Sequence, residues 1–430
     1  MGVIHIQDLK IEADILPLFN YTYNQEAEDT LLQLLHELPP SIGLIQKKQD
    51  IIKGFLANWT VLADFSYQKI ALQEVRAFLL DVSHGRIMLE KNRLRLTVKL
   101  LLSEEARYVS RARCIQTISF LHQLQQRYLH RLNVGVFPAC FQPRLGMLIR
   151  FLEGFSLSAY AQAIQEDDFS SGQMVRFARQ LLAVSTEEIA AFWTGFNEFE
   201  AYWSLAKGML HFGFVFPVFQ EEGLQLQEFY HPVLPHPVKN TLALGPTDTI
   251  VVLTGPNMSG KSTLLKAVGL CVYLAHLGVG VPAASCQLPF FHSIVVAGNL
   301  ADSLKDGYSH FMAELQNLKS VLQAAQLPGR TFAIFDELFR GTNVDDATEI
   351  TQATVNGLSG FPNSCFMIST HLLQLETRLP SLPCIRAYCI ECLLEESTPR
   401  FTYRLQPGWS SLKIGRLLFE KEGLYHLLQP

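Results

Sequence analysis

The chain has 430 residues, 48% hydrophobic and 17% charged, with eight cysteines and a formal net charge of −5. That length exceeds what one core needs, so two or three domains are expected, and the mild acidity excludes a uniformly basic nucleic-acid coat while allowing a local basic face. The cysteines sit mostly in apolar runs and read as reduced, Asp8, Lys10, Glu12 and Asp14 break up any signal peptide, and no run is apolar enough to span a membrane, so a cytoplasmic protein is expected.

Residues 1–20 hold a short acidic stretch and then Ile15 to Asn20. Ala27, Leu31, Leu34 and Leu35 share one face and predict a helix from about Asn24 to Glu37, stopped by Pro39-Pro40. Further helices are predicted near 43–57, 65–82 and 104–132, and the basic stretch from Arg86 to Lys99 is ambiguous in period. Arg107, Arg111, Arg113, Arg127, Arg131, Arg144 and Arg150 form either a phosphate-contacting face or a solvated helix surface. Over 174–210, Ala178, Leu182, Ser185, Ile189, Phe192, Phe196, Phe199 and Trp203 step by four and three. That a/d seam predicts one long, lever-like helix.

From Phe212 to Phe219 the pattern turns strand-like, and Gly223 to Phe229 alternates with period two. The prolines between His231 and Pro237 then turn the chain. A boundary near 210–222 divides a helical domain, 1–215, from a second domain, 216–430. In the second domain apolar segments at Ser293–Ala297, Thr331–Phe335 and Cys365–Ser369 alternate with helical stretches at about 311–326 and 345–359. This alternation predicts a mostly parallel sheet covered by helices. Ala387 to Leu405 reads as a hairpin, and a last helix is predicted from about Leu412 to Leu428. Cys389 and Cys392 form a C-x-x-C, but Tyr388, Ile390 and Cys392 alternate as on a strand face, so core packing is expected there, not zinc.

The chemistry is concentrated at Thr254–Thr263, which contains G-x-x-x-x-G-K-S, the phosphate-cradling P-loop. The apolar, β-branched run from Thr249 to Leu253 precedes it. Leu264, Leu265, Val268, Cys271, Val272 and Ala275 follow at helical spacing. Gly255 and Gly260 let the backbone curl its N–H groups around a polyphosphate, and the helix presents its positive end to the same charge. Lys261 reaches the β- and γ-phosphates, and Ser262 offers a hydroxyl to Mg²⁺. Gly255, Pro256, Asn257, Met258, Ser259, Gly260, Lys261, Ser262 and Thr263 are the expected nucleotide-binding run.

A P-loop alone gives binding. The second half is the apolar strand from Thr331 ending in Asp336-Glu337, a Walker B element: Asp336 would hold Mg²⁺ and Glu337 would polarise the attacking water. Arg340 to Asn343 is a tight polar loop, and Asp345 and Asp346 open a helix. His371 ends another strand in Ser369-Thr370-His371, where a sensor of water or of the γ-phosphate is expected. Ser309 stands where a helix begins, either as its N-cap or as part of an anion site.

Together these stretches resemble the ATPase domain of the MutS family, the DNA mismatch-repair ATPases. The matching residues are Thr-Gly-Pro-Asn-Met-x-Gly-Lys-Ser-Thr at 254–263 and Ala-Asp-x-Leu-x-x-Gly-x-Ser-x-Phe-Met at 301–312. Asp-Glu-x-x-Arg-Gly-Thr at 336–342, Ser-Thr-His at 369–371 and His231-Pro232 complete the set. The resemblance covers about 220–430 and extends weakly to Asp14–Thr22, like the opening of the family's helical core-and-lever domain. Three positions depart from the pattern: Ser259 stands for a glycine, His310 for a threonine and Asn343 for a serine. Phe196-Asn197-Glu198 matches the family's mismatch wedge formally, but Phe196 belongs to the seam.

The resemblance implies an all-α core/lever domain followed by an ABC-type α/β P-loop NTPase domain. It implies slow Mg²⁺-dependent hydrolysis of ATP at a composite site in a homodimer, with Ser309 of one subunit reaching the γ-phosphate held by the other. It implies that Tyr403, where the family has a histidine, stacks on adenine, with a segment near Val238–Asn240 on the other side. DNA is the expected partner, in repair or recombination. The family's mismatch-recognition and connector domains are expected to be absent. An ATP-switched scaffold without DNA binding is the alternative. A transporter-type or chromosome-structure P-loop ATPase fits the Gly-Pro-Asn-Met loop and the Ser-Thr-His strand poorly.

Overall fold

The computed structural model describes residues 2–83, 104–297, 310–339, 342–379, 382–395, 398–410, 419–420 and 424–428. The chain divides into two compact units. One comprises Met1–Leu18, Leu35–Gln46 and Met209–Pro430, and the other Phe19–Leu34 and Lys47–Gly208.

The first unit carries the strands β1 (Ile4–His5), β2 (Val218–Phe219), β3 (Leu224–Phe229), β4 (Asn240–Leu244), β5 (Ile250–Thr254), β6 (Ser285–Leu288), β7 (Ser293–Ala297), β8 (Thr331–Phe335), β9 (Cys365–Thr370), β10 (Ile385–Glu395) and β11 (Thr398–Pro407). Seven of them form one sheet in the order β1-β7-β8-β9-β5-β10-β11. Every neighbouring pair is parallel except the β10–β11 hairpin. All residues of β5, β8 and β9 are buried, as their unbroken apolar runs require of strands covered on both faces.

Period two sorts the cover. Ile334 and Val296 meet the helix Lys261–Leu277 at Gly269, where a Cβ would lie 3.0 Å from Ile334 Cδ1 and 3.1 Å from Val296 Cγ2. Glycine there lets helix and sheet approach closely. The alternate residues Val295, Ala333 and Phe335 join Val321 of the helix His310–Gln326 and Val355 and Leu358 of the helix Val344–Leu358 in one core cluster. Each fully buried Val, Leu or Phe side chain among them contributes about 1.5–3 kcal/mol. A second sheet, β2-β6-β3-β4, has β3 antiparallel to both neighbours.

The three apolar segments expected as parallel strands are β7, β8 and β9, and the expected hairpin is β10–β11. Other expectations need correction. Phe212 to Phe219 is not one strand: the preceding helix continues to Phe212, Val215 makes an isolated bridge to Val281, and only Val218–Phe219 pairs in a sheet. β1, β4 and β6 were not foreseen. Ile4 and His5 pair with Ile294 and Val295 of β7, which is why the first residues lie with the sheet and not with the helical unit.

The second unit is built from helices. Lys69–Ser83, Glu104–Gln123, Gln142–Glu153, Leu157–Gln165 and Ser171–Leu182 lie in it, as do most of Ile42–Ala57 and Thr186–Phe212, and Gln25–His36 begins in it. The expected single helix over 174–210 is two. Ser185 Oγ accepts the Glu188 N–H at 3.2 Å and Glu188 Oε2 accepts the Ser185 N–H at 2.9 Å. This capping box starts a new helix where the heptad pattern continued the old one. Ser185 is therefore exposed, while Ile189, Phe192, Phe196, Phe199 and Trp203 are buried as the seam requires. The stretch 86–99, Ser309, and the last predicted helix apart from residues 419–420 and Leu424–Leu427 lie outside the described residues.

Candidate functional site

Between β5 and its helix the backbone makes the turn the glycine pattern calls for. Gly255 has φ 150°, Gly260 φ 96° and Met258 φ 67°. A Cβ on Gly255 would lie 3.0 Å from Ser259 Oγ, and one on Gly260 3.1 Å from Tyr403 Cδ1, so both glycines are needed for space as well as for backbone freedom. Ser259, where a glycine was expected, keeps a negative φ and costs no strain. Its hydroxyl is buried and has no hydrogen-bond partner among the described residues. No side chain among the described residues caps the helix that starts at Lys261, so its first N–H groups remain available to an anion. Pro256 is buried, Asn257 and Met258 are exposed, Ser262 is half-buried and Thr263 exposed.

Lys261 is 4% exposed, and its ammonium donates to Gly255 O at 2.9 Å and Pro256 O at 3.2 Å. Glu337 Oε1 lies 3.7 Å from the same nitrogen. Burial pushes the Lys261 pKa below the ordinary lysine range, while Glu337 and Asp336 pull it back up. Lys261 follows β5, whereas the two acids follow β8. Between these strands lies β9, and its Ser369 links the acids: the hydroxyl donates to Asp336 Oδ1 at 2.6 Å and accepts the Glu337 N–H at 2.9 Å. Glu337 is held at φ 57°, a left-handed conformation that costs a non-glycine residue about 1–3 kcal/mol and clusters at functional sites. Ser369 was read only as part of a motif. The signal that could have found its role is its place on the strand between a P-loop strand and an acidic strand end.

A cavity of about 370 Å³ opens beside the loop, lined by Gly260, Thr263, Leu264 and Ala267 on one part and by Tyr230, His231, Leu234, Val238, Asn240 and Tyr403 on another. Tyr403 reaches it because the hairpin is bulged. Ile390 pairs with Leu405 and Cys392 with Phe401, so residues 402–404 face Glu391 alone. Tyr403 itself has φ 58°. Asn240 clamps the bulge from β4, donating to Tyr403 O at 3.0 Å and accepting the Leu405 N–H at 2.8 Å. Tyr403 is 47% exposed. Burial keeps His231 below the ordinary histidine range.

His371 is exposed just past β9, whose Thr370 is paired with Thr254 at the start of the loop. Arg340 and Gly341 lie outside the described residues. Asn343 caps the next helix, its Oδ1 accepting the Asp346 N–H at 2.8 Å, which explains why asparagine serves where serine was expected. The expected basic face is partly engaged already. Arg111 pairs with Asp167 at 3.3 Å, Arg144 with Glu198, and Arg127 lies over the Tyr128 ring. No helix among the described residues is long and apolar enough to cross a membrane.

A buried strand, a G-x-x-x-x-G-K-S turn and a helix, set on a mostly parallel sheet with acids two strands away, define an α/β protein with a P-loop-like fold. Residues 251–421 match the family model described as MutS domain V. A DNA mismatch repair protein MutS from Natronomonas pharaonis is 30% identical over 253 residues, 58% of this chain and 29% of that protein. A second, from Streptococcus sanguinis, is 31% identical over 200 residues, 45% of this chain and 23% of that protein. Over these stretches the chain is similar to MutS proteins, and the match to the family model is confined to residues 251–421. The matched segment spans less than a third of the length of these relatives.

Proposed function

We propose that this chain is an ATPase with an ABC-type P-loop fold that works as a cytoplasmic homodimer on DNA, in repair or recombination. The observation that carries the reading is the convergence of Lys261 and Glu337 to 3.7 Å from two different strand ends, with Ser369 tying Glu337 to Asp336. A phosphate-binding cation and a water-activating base must both face one nucleotide, and this convergence supports that.

The residues fit a Mg²⁺-nucleotide. Two glycines keep a cradle free of Cβ atoms, and among the described residues the helix N-terminus is uncapped and the Ser259 hydroxyl is unpartnered. Among the described residues no cluster of three or more His, Cys, Asp and Glu side chains could hold a metal. Mg²⁺ suits this, since it binds through one or two protein oxygens plus phosphates and water. Ser262 and Asp336 would hold it, and its charge offsets that of the phosphoryl oxygens. Lys261 holds the phosphates, Glu337 takes the proton of the attacking water, and His371 sits at the adjacent strand end as a sensor. Tyr403 stacks on the base, and Ser309 serves the partner's nucleotide.

A scaffold reading without DNA binding draws support from the ion pairs of Arg111 and Arg144, which occupy charges a DNA face would use. Nucleotide binding and ATP turnover of the wild type, Lys261→Ala and Glu337→Ala test the ATPase. Lys261→Ala should weaken binding, and Glu337→Ala should bind and not turn over. Turnover retained in both variants would place the chemistry elsewhere.

A further inference from the structure

Ser369 is wholly buried on β9, the strand that separates β5 from β8. Its hydroxyl is bonded in both directions. It donates to Asp336 Oδ1 at 2.6 Å and accepts the Glu337 backbone N–H at 2.9 Å. A hydroxyl has one proton to give, and here it goes to the acid assigned to the metal. Asp336 Oδ1 is thereby fixed in direction and has one lone pair committed, so the carboxylate presents Oδ2 and the rest of Oδ1 in one orientation. The bond from Glu337 N–H acts on a different coordinate. It holds the backbone of Glu337 at φ 57°, the conformation from which the Glu337 side chain reaches within 3.7 Å of Lys261 Nζ.

We propose that Ser369 is a positioning residue for ATP hydrolysis: one buried hydroxyl sets both the orientation of the metal-binding carboxylate and the backbone of the water-activating glutamate. The proposal rests on the ATPase reading above. It predicts a defect in chemistry and in the response to metal, not in nucleotide capture, because Lys261, the glycines and the helix N-terminus are untouched.

The test compares wild type, Ser369→Ala and Ser369→Thr, which keeps the hydroxyl. Three quantities are read: kcat for ATP, nucleotide affinity with Mg²⁺ chelated, and the gain in that affinity when Mg²⁺ is added. Ser369→Ala should lower kcat roughly 10–100-fold, the size of effect seen when groups behind metal ligands are removed. It should reduce the Mg²⁺-dependent gain and leave metal-free affinity within about twofold. Ser369→Thr should recover most of kcat. Unchanged kcat in Ser369→Ala overturns the proposal. So does a parallel loss of metal-free affinity in both variants, which marks Ser369 as a packing residue. If Ser369→Thr alone does not fold, the split between kcat and metal-free affinity in Ser369→Ala decides. A wild type that binds nucleotide and never turns it over instead removes the ATPase reading itself.

Discussion

Two glutamates, one in each unit, meet very different company. Glu337 is half-buried at a strand end and faces the Lys261 ammonium across 3.7 Å. Glu200 is fully buried in the helical unit and accepts from the Tyr23 N–H, from Tyr67 Oη at 2.5 Å and from Asn24 Nδ2 at 2.8 Å. These donors are all uncharged. Burial pushes the Glu200 carboxyl up to about 7 in spite of them, and burial together with Glu200 pushes the Tyr67 phenol well up. The contrast separates two uses of a buried acid. Beside a cation, a glycine-rich turn and an uncapped helix, an acid is set to act on a ligand. Held by neutral donors from two segments, one of them Tyr67, whose ring packs on Phe65 and Phe196, an acid joins those segments to its own helix.

The largest effect that would sharpen this contrast is on stability. Glu200→Ala leaves three donors without their acceptor, at about 1–3 kcal/mol for each one left unpaired. Denaturant unfolding followed by tryptophan fluorescence should register this through Trp203, and a loss below about 1 kcal/mol would break the account of Glu200. Next, Lys261→Ala should weaken ATP binding by about 1.5–3 kcal/mol, the value of hydrogen bonds to charged groups, with unfolding of the helical unit unchanged. Calorimetric titration measures the first and the same fluorescence the second.

A smaller effect is in pH. The folded-state pKa of Glu200 is raised from 4.5 to about 7, so folding takes up a proton between those values. Its stabilising contribution is full below about 4.5 and is lost as pH rises through about 7. Unfolding midpoints measured from pH 5 to 8 should therefore fall more steeply in the wild type than in Glu200→Gln, and parallel curves would contradict the assignment. Smallest is the base cavity. Tyr403→Ala should lose about 1 kcal/mol of ATP affinity and Tyr403→His should keep most of it, as an aromatic contact predicts. Equal affinity in all three proteins would put Tyr403 outside the base site.

The sheet was legible where strands are buried on both faces. β7, β8 and β9 are continuous apolar runs, and their bounds can be read off with little loss. β1, β4 and β6 escaped because they are two to five residues long and partly exposed, too short for any alternation to stand out from the flanking chain. The helix break at Ser185 escaped for the opposite reason: apolar spacing ran through it, and the local Ser-x-x-Glu capping signal was outvoted. Within the site, Lys261, Asp336 and Glu337 were legible because their motifs are local. The role of Ser369 was not, and of Asn240 only its neighbourhood to the base was, not its clamp on the Tyr403 bulge, since their partners lie 33 and 163 residues away in the chain and only the folded chain brings them together.

The comparison of the two glutamates is decided most directly by one set of turnover measurements at saturating ATP and Mg²⁺. They take the wild type, Glu337→Ala and Glu200→Gln, with nucleotide binding checked in each. The account predicts that Glu337→Ala loses turnover by about 10²–10⁴-fold, the range for removal of a general base, while still binding nucleotide, and that Glu200→Gln turns over at the wild-type rate. Turnover retained in Glu337→Ala, or lost in a folded Glu200→Gln, would contradict it.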